Sequence, residues 1–351
     1  MSPPTTSHTY RRTADATSIE LVTENVPQTL KPNEVLLKIH AVSLNFRDIG
    51  MLTNRYPIPV IPQGIPCSDA SATVLGVGSA VTTFKPGDHV TPAFQMDRIT
   101  GREKNAPFVA LGGDVDGVLR QYAVFEEQVL TKIPSYLSHE EAATIACAGV
   151  TAWTALGMGQ SHQVDVALMQ GTGGVSMFAV LICLAAGIRP IVTSSSDEKL
   201  EQVKSLGTKE RPVLGINYRT HPDWAAEAQR LTDGKGVDVV INNVGVAAME
   251  QSFDALCSNG GTISLVGFLG GMPEKMPDCV MPAMMKMAKI QGIQVGSVKD
   301  QQDLCDFLAE KKVDLKPLVD CKVFKFEDAA DAFKYVDSGA HVGNVVIRVA
   351  G

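Results

Sequence analysis

The sequence predicts an α/β fold, a doubly wound parallel sheet joined to a second, mostly antiparallel β domain. Three features predict it. Short strands and tight turns dominate the first third of the chain, strand and helix alternate from about residue 138 onward, and a glycine-rich turn joins the first strand of that alternation to an apolar helix. With 351 residues and 45% hydrophobic content the chain can bury two cores. The pattern divides it into 1–130 and 131–297, with 298–351 returning to complete the first domain.

Taken in order, Val35 to Val42 mixes β-branched and apolar residues as a strand does. Proline and glycine punctuate Tyr56 to Pro66. Ala72 to Leu75 is a second strand, and the Lys85-Pro86-Gly87-Asp88 turn leads into a third at His89 to Thr91. At Ser138-His139-Glu140-Glu141 the period changes: a cap and first-turn acids open a helix expected over Ala142 to Leu156. Next come a strand at Val164 to Leu168, a helix at Phe178 to Ala186, a strand at Pro190 to Thr193 and a helix at Ser195 to Leu206. A helix at Asp223 to Leu231 precedes the strand Val237 to Ile241, and a helix at Met249 to Leu256 precedes the strand Gly261 to Val266. Such alternation argues for parallel βαβ units. The tail reads as a helix at Asp328 to Val336 and a strand at Asn344 to Val349 that rejoins the first domain.

Charge and composition exclude several classes. Asp plus Glu number 38 against 31 Lys plus Arg, a net charge of −7, which opposes a nucleic-acid or anionic-membrane surface. The longest apolar run, Phe178 to Ala186, is about half the ~20 residues of a membrane span. Met1 to Arg12 has no apolar stretch of the signal-peptide kind. A soluble, cytoplasmic protein is expected. The seven cysteines form no CxxC spacing, so they are read as reduced thiols and not as a disulfide frame or a compact zinc cluster.

After the strand ending at Leu168, Gly171-Thr172-Gly173-Gly174-Val175-Ser176 opens directly into a helix. Glycine permits a tight turn and close backbone approach, and the helix N-terminus offers free N–H groups to a pyrophosphate. Ser176 stands where a third glycine is usual. An NAD site places an acid ~20 residues on, to accept from the ribose 2′-OH. Here that point is Thr193-Ser194-Ser195-Ser196, with no carboxylate before Asp197 and with Lys199 one turn later. Hydroxyls and an ammonium suit a 2′-phosphate, so NADP(H) is the expected cofactor. The bland alternative is a capping box at Ser195 to Glu198.

The chain resembles a known family, the medium-chain dehydrogenases/reductases, in their zinc-independent, quinone-oxidoreductase-like branch: zinc-type alcohol dehydrogenase-like proteins without zinc ligands. The carriers are Ala41 to Asp48 (AVSLNFRD), Phe84 to Val90, Asp116 to Leu119, Glu141-Ala142-Ala143, Ala148 to Ala152 and the glycine loop. Ser264 to Phe268 and His341 to Val346 complete it, so that residues 35 to 350 are covered. The resemblance implies a GroES-like catalytic domain, a Rossmann NADP-binding domain and an active cleft between them. It implies Asn45, Asp48 and Thr151 near the nicotinamide, and Lys199 and Tyr218 at the 2′-phosphate. Ser194 and Ser195 join that end, while Asn243, Val244, Gly267, Phe268 and Asn344 would line the dinucleotide. Phe46 stands where tyrosine is often found, and Asn344 where lysine is frequent.

Zinc-dependent relatives use a cysteine, a Gly-His-Glu segment and a second cysteine. Here Asn45 to Asp48 and Cys67-Ser68-Asp69 occupy the first two places, and Cys147 alone is ligand-like. One thiolate cannot make a three-ligand open site. The structural-zinc loop is also missing, since Gln95 to Pro107 has no cysteine. His89 and His139 are read as turn and helix-start residues, and no metal is expected.

Without a Lewis acid, hydride addition to the β-carbon of an enone or enal is easier to support than alcohol oxidation, because the developing enolate needs only hydrogen-bond donors. Asn45 can supply one. Asp48 orients Asn45 or a water, or is structural. The expected activity is therefore an NADPH-dependent enoyl-reductase-type reaction on an apolar, unsaturated small molecule. Carbonyl or quinone reduction is the alternative, and a catalytically silent NADPH-binding protein is the alternative of another class. The segment Met272 to Met287 holds six methionines, Met272, Met276, Met281, Met284, Met285 and Met287, of the chain's 13. It reads either as a pliable wall over substrate or as core and subunit contact; the resemblance implies a homodimer built through the Rossmann sheet edge.

Overall fold

The computed structural model describes residues 4–53, 55–56, 58–159, 163–271 and 273–349. It divides into two compact units, one formed by Met1–Val150 with Val295–Gly351 and the other by Thr151–Gln294.

The first unit is built on β strands. β1 (Thr6–Arg12) and β2 (Ile19–Asn25) form an antiparallel hairpin. β3 (Glu34–Leu44) is long and mostly buried, and a short helix, α1 (Phe46–Leu52), follows it at once. β4 (Asp69–Val77), β5 (His89–Pro92), β6 (Tyr122–Glu126) and β7 (Leu130–Lys132) come next, joined by antiparallel pairings. This is the short-strand, tight-turn architecture that the sequence predicts.

α2 (His139–Ala142) begins where the Ser138 hydroxyl accepts from the Glu141 N–H, while the Glu141 carboxylate accepts from the Ser138 N–H at 2.8 Å. The single helix expected from Ala142 to Leu156 is instead three pieces. After α2 comes a π-helical turn at Ile145–Gly149, then α3 (Val150–Ala155). The Thr144 hydroxyl donates to the Glu141 carbonyl at 2.7 Å, competing with the helical ladder at the break. The division expected at residue 130 also falls too early. The Tyr136 hydroxyl donates to the Leu308 and Val313 carbonyls, and Ser71 Oγ lies 2.6 Å from His139 Nδ1. These bonds hold the segment within the first unit.

The second unit is a six-stranded parallel sheet. Its strands are β8 (Val166–Gln170), β9 (Arg189–Ser194), β10 (Leu214–Asn217), β11 (Val239–Asn242), β12 (Thr262–Leu265) and β13 (Lys289–Gly292), in the order β10-β9-β8-β11-β12-β13. That is the doubly wound order, with its reversal between β8 and β11. β8 is buried along its whole length, as a parallel strand covered on both faces must be. The intervening helices are α4 (Gly174–Ala186), α5 (Asp197–Lys204), α6 (Trp224–Leu231), α7 (Met249–Ala255) and α8 (Val280–Met285). α4 is apolar nearly throughout and stops at Gly187, whose φ of +81° is left-handed. β10 was not expected from the sequence, because glycine at 215 interrupts its apolar pattern.

The chain then returns to the first unit. α9 (Val298–Lys311), β14 (Phe324–Lys325), α10 (Ala329–Asp337) and β15 (Val345–Arg348) follow, and β15 lies between β14 and β3, antiparallel to the latter. The tail strand thus rejoins the first sheet as the sequence predicts. No helix among the described residues is long and apolar enough to cross a membrane.

Candidate functional site

The second unit gathers most of the expected dinucleotide residues at the carboxyl ends of its strands. Gly171 follows β8 with φ +85°, and its N–H donates to the Thr193 carbonyl at 2.9 Å, tying the glycine turn to the end of β9. A Cβ added at Gly171 or Gly173 would meet nothing within 4 Å, so both α-carbons face open space of the kind a pyrophosphate fills. Gly173 is the N-cap of α4, and Gly174 and Val175 form its first turn, where backbone N–H groups have no intrahelical acceptor. Thr172 is buried within the turn.

Ser176, in place of the third glycine, uses its hydroxyl. It donates to the Gln170 carbonyl at 3.0 Å and accepts from Asn243 Nδ2 at 3.0 Å. Asn243 Nδ2 also donates to the Gln170 carbonyl, and Val244 N–H donates to Gln170 Oε1. Gln170 is therefore the hub joining the phosphate turn to the end of β11 at the reversal of strand order. Sequence reasoning missed it; the available signal was a polar residue closing an otherwise apolar strand immediately before the glycines. Gly245 (φ +92°) and Gly267 bring the next loop in. A Cβ on the former would lie 2.9 Å from the Gly267 carbonyl, and one on the latter 2.6 Å from the Asn243 carbonyl. Phe268 beside them is partly exposed.

At the far end of the row, β9 closes on the buried Ser194, with Ser195 next to it. Tyr218 N–H donates to the Ser194 carbonyl at 3.0 Å, so the Tyr218 ring, largely exposed, stands beside the same strand end. Ser196, not Ser195, caps α5, accepting from the Lys199 N–H at 3.3 Å, and this corrects the expected capping box. Lys199 thus lies in the first turn of α5. Asp197 and Glu198 share that turn, and Asp197 accepts from Asn217 Nδ2 at 2.7 Å. Thr151 is buried in α3, away from any of these bonds, with its carbonyl accepting from the Thr154 hydroxyl.

The first unit holds the remaining expected residues. Asn45 caps α1, and the Asp48 carboxylate accepts from its backbone N–H at 2.8 Å. Asp48 is wholly buried, 3.8 Å from Arg47 Nη1, and burial raises its pKa. Its carboxylate thus closes the cap of α1. Asn45 Nδ2 donates to Asp69 Oδ2, a contact that sequence reasoning also missed. Asn344 is buried, not exposed to line a surface; its Nδ2 donates to Ser43 Oγ at 2.9 Å. The methionines Met276, Met281, Met284, Met285 and Met287 are exposed on and around α8, so they form neither core nor an enclosed wall within the second unit. Met272 lies outside the described residues.

Residues 31–135 match the alcohol dehydrogenase GroES-like domain, and residues 174–310 match the zinc-binding dehydrogenase family. A zinc-type alcohol dehydrogenase-like protein of Schizosaccharomyces pombe is 40% identical over 330 residues, spanning 92% of this chain and 93% of its own. The crystal structure of a protein assigned as an alcohol dehydrogenase, from Sinorhizobium meliloti 1021, superposes with a TM-score of 0.85 at 34% identity, covering 98% of each chain. That of an NAD-dependent alcohol dehydrogenase gives 0.83 at 28% identity, covering 98% of this chain and 100% of that one. The zinc of these names meets a donor set that does not fit it. The places of the ligands hold Asn45, whose amide is bonded to Asp69, Ser68-Asp69, both fully buried, and Cys147. Among the described residues no group of three His, Cys, Asp or Glu could hold a metal ion.

Proposed function

Since the chain belongs to the medium-chain dehydrogenase/reductase family, as a zinc-type alcohol dehydrogenase-like oxidoreductase, we propose that it is an NADPH-dependent, metal-independent reductase of conjugated enones or enals. The observation that carries this reading is the end of β9. Ser194 and Ser195 offer hydroxyls and Lys199 an ammonium, and of the two acids in the first turn of α5, Asp197 and Glu198, the first is held by Asn217. A 2′-phosphate is favoured by such a set and repelled by an acid.

Gly171 to Val175 would hold the pyrophosphate through backbone N–H groups. Lys199, Ser194, Ser195 and Tyr218 would hold the 2′-phosphate end. Thr151, Asn243, Val244, Gly267 and Phe268 would shape the nicotinamide end. When bound, the dinucleotide supplies the hydride. Asn45 donates an amide N–H to the substrate carbonyl oxygen as negative charge develops there, a neutral donor suited to an enolate. Asp48 is a positioning residue that fixes Asn45 through its backbone. The exposed edge strand β13 and the methionines of α8 support a homodimer formed through that edge.

A second reading, NAD(H)-linked alcohol or carbonyl interconversion, is favoured by Asp197 at the start of α5 and by the NAD-dependent relative. Comparative titration with NADPH and NADH, followed by mass analysis of products made from unsaturated carbonyls with deuterated NADPH, tests both. We expect at least ~10-fold tighter binding of NADPH and deuterium on the carbon β to the carbonyl. Equal affinity for the two dinucleotides, or label on the carbonyl carbon, overturns the first reading.

A further inference from the structure

The short helix α1 carries Asn45 as its N-cap and Phe46 as its first residue, and Arg55 follows the Thr53 that closes it. Its far end is tightly made. The Thr53 N–H and hydroxyl both donate to the Ile49 carbonyl, at 3.0 and 2.9 Å, and the Arg55 and Tyr56 N–H groups donate to the Gly50 carbonyl at 2.9 and 3.2 Å. The Arg55 backbone is thereby fixed to the helix. Its side chain turns back along it, with the guanidinium 5.7 Å from the centre of the Phe46 ring, and that ring is 41% exposed. Arg55 Nε donates to Thr53 Oγ1 at 2.8 Å and Nη2 to Asp337, the last residue of α10. A guanidinium has five N–H groups. With one on Thr53 and one on Asp337, three are left for a further acceptor among the described residues. Both side chains of the Arg55–Asp337 pair are about half exposed, so the pair is weak and exchangeable. Arg47 is the contrast, buried beside Asp48 and bonded to the Leu111 carbonyl.

We propose that Arg55 is a specificity-determining residue, and that the preferred substrate is an unsaturated carbonyl compound bearing a carboxylate at the far end of its apolar chain. This rests on the reading of Asn45 given above. With the carbonyl oxygen at the Asn45 amide, the apolar body lies on the exposed face of Phe46, the next residue, and the carboxylate meets the guanidinium beyond that ring. The seven residues of α1 span roughly 10 Å, which sets the length of chain that fits. A planar fork with spare N–H groups takes a carboxylate through two parallel bonds, which an ammonium cannot do. The chain's net charge of −7 opposes an anion in general, so the attraction has to be local. Asp337 is the competitor. It holds Arg55 over Phe46 in the free protein, and the substrate carboxylate takes its place.

Two measurements on the full chain test this. Initial rates of NADPH oxidation with ω-carboxylated trans-2-octenal, as the free acid and as its methyl ester, read the preference as a ratio within each protein. We expect wild type to favour the acid by ~10-fold in kcat/KM, carried by KM. Arg55→Gln should abolish the preference, Arg55→Lys should keep part of it, and Asp337→Asn, which frees the fork of its competitor, should raise it. Added salt should shrink it in wild type. Equal kcat/KM for acid and ester in wild type, or a preference that survives Arg55→Gln, overturns the proposal. Calorimetric titration with octanoate and with octanamide, in the presence of NADPH, reads the same contact without turnover. We expect octanoate to bind ~10-fold tighter than octanamide in wild type and no tighter in Arg55→Gln. If octanoate behaves so while no enal is reduced, enone reduction fails and the carboxylate site stands. Octanoate that binds wild type no tighter than octanamide overturns the site.

Discussion

Asp48 and its neighbours show what a few buried charges cost and supply. Asp48 accepts from the Asn45 N–H and faces Arg47, whose Nη1 also donates to the Leu111 carbonyl and whose guanidinium lies 4.6 Å from the centre of the Phe94 ring. Removing one partner of such a pair strands the other in the interior. Asp48→Ala is therefore expected to destabilise the first unit by about 3–5 kcal/mol, read as a shift of the urea midpoint; a change below about 1 kcal/mol would show that Arg47 finds water instead. At this scale the sequence was informative about type and poor about role. The glycines were legible because their position between strand and helix is a physical signal, whereas Asn45 was named only through the resemblance to the family. Asp69 was not legible, because its significance lies in burial and in a partner 24 positions away. Gln170 was hidden for the same reason, since both ends of its amide and carbonyl network are set by tertiary contact.

Among elements, the face where β3, β4 and β5 meet α2 carries three imidazoles. The His40 and His139 rings stack with centroids 4.0 Å apart, and His89 lies 4.7 Å from His139. His40 Nε2 is 2.9 Å from Thr73 Oγ1. Burial, then His139, Lys38 and His89, lowers the pKa of His40 from 6.5 to about 4, and burial followed by His89 lowers that of His139. The native state thus binds fewer protons than the unfolded chain, so stability is full above pH 6.5 and is lost as pH falls toward about 4. Because both rings are only half buried, the loss is on the order of 1 kcal/mol. Urea midpoints at neutral and acid pH should differ in wild type and converge in His40→Gln; equal slopes in the two proteins would assign the acid sensitivity elsewhere. Periodicity located α4, α5, α6 and α7 of the second unit because their apolar faces repeat, and missed α8 (Val280–Met285). It failed at the π turn, where Ala142 to Leu156 looks uniformly helical but the Thr144 side chain breaks the ladder. His89 and His139 read as a turn and a helix-start residue, and His40 as part of a strand, because only tertiary contact brings the three together.

For the molecule as a whole, strand alternation made the parallel sheet and its partner β unit legible, and the return of the tail followed from its position after the alternation ended. The extent of each unit was less legible, because bonds such as Tyr136 to Leu308 cross 172 positions. The open edge is a property of this scale. All of β13 is exposed, and the neighbouring Met284 and Met285 are 67% and 75% exposed, a hydrophobic surface beside unpaired backbone. If a second copy covers it, Met284→Lys with Met285→Lys should convert a sedimenting dimer to monomer at micromolar concentration without loss of fold by circular dichroism. A wild type that sediments as a monomer would remove the dimer from the reading.

The placement of β15 also sets an order of assembly during synthesis. A ribosome delivers Asp69 and Asn45 early, yet β3 gains β15 as a neighbour only when residues 345–348 emerge. The continuous second unit can close its own sheet before then, while in the first the Ala41–Leu44 end of β3 still lacks β15 beside it. The nascent protein therefore stays open to aggregation and to proteases until residues 345–348 have emerged, and the strands of its first unit, though made earlier, are the last to be fully paired.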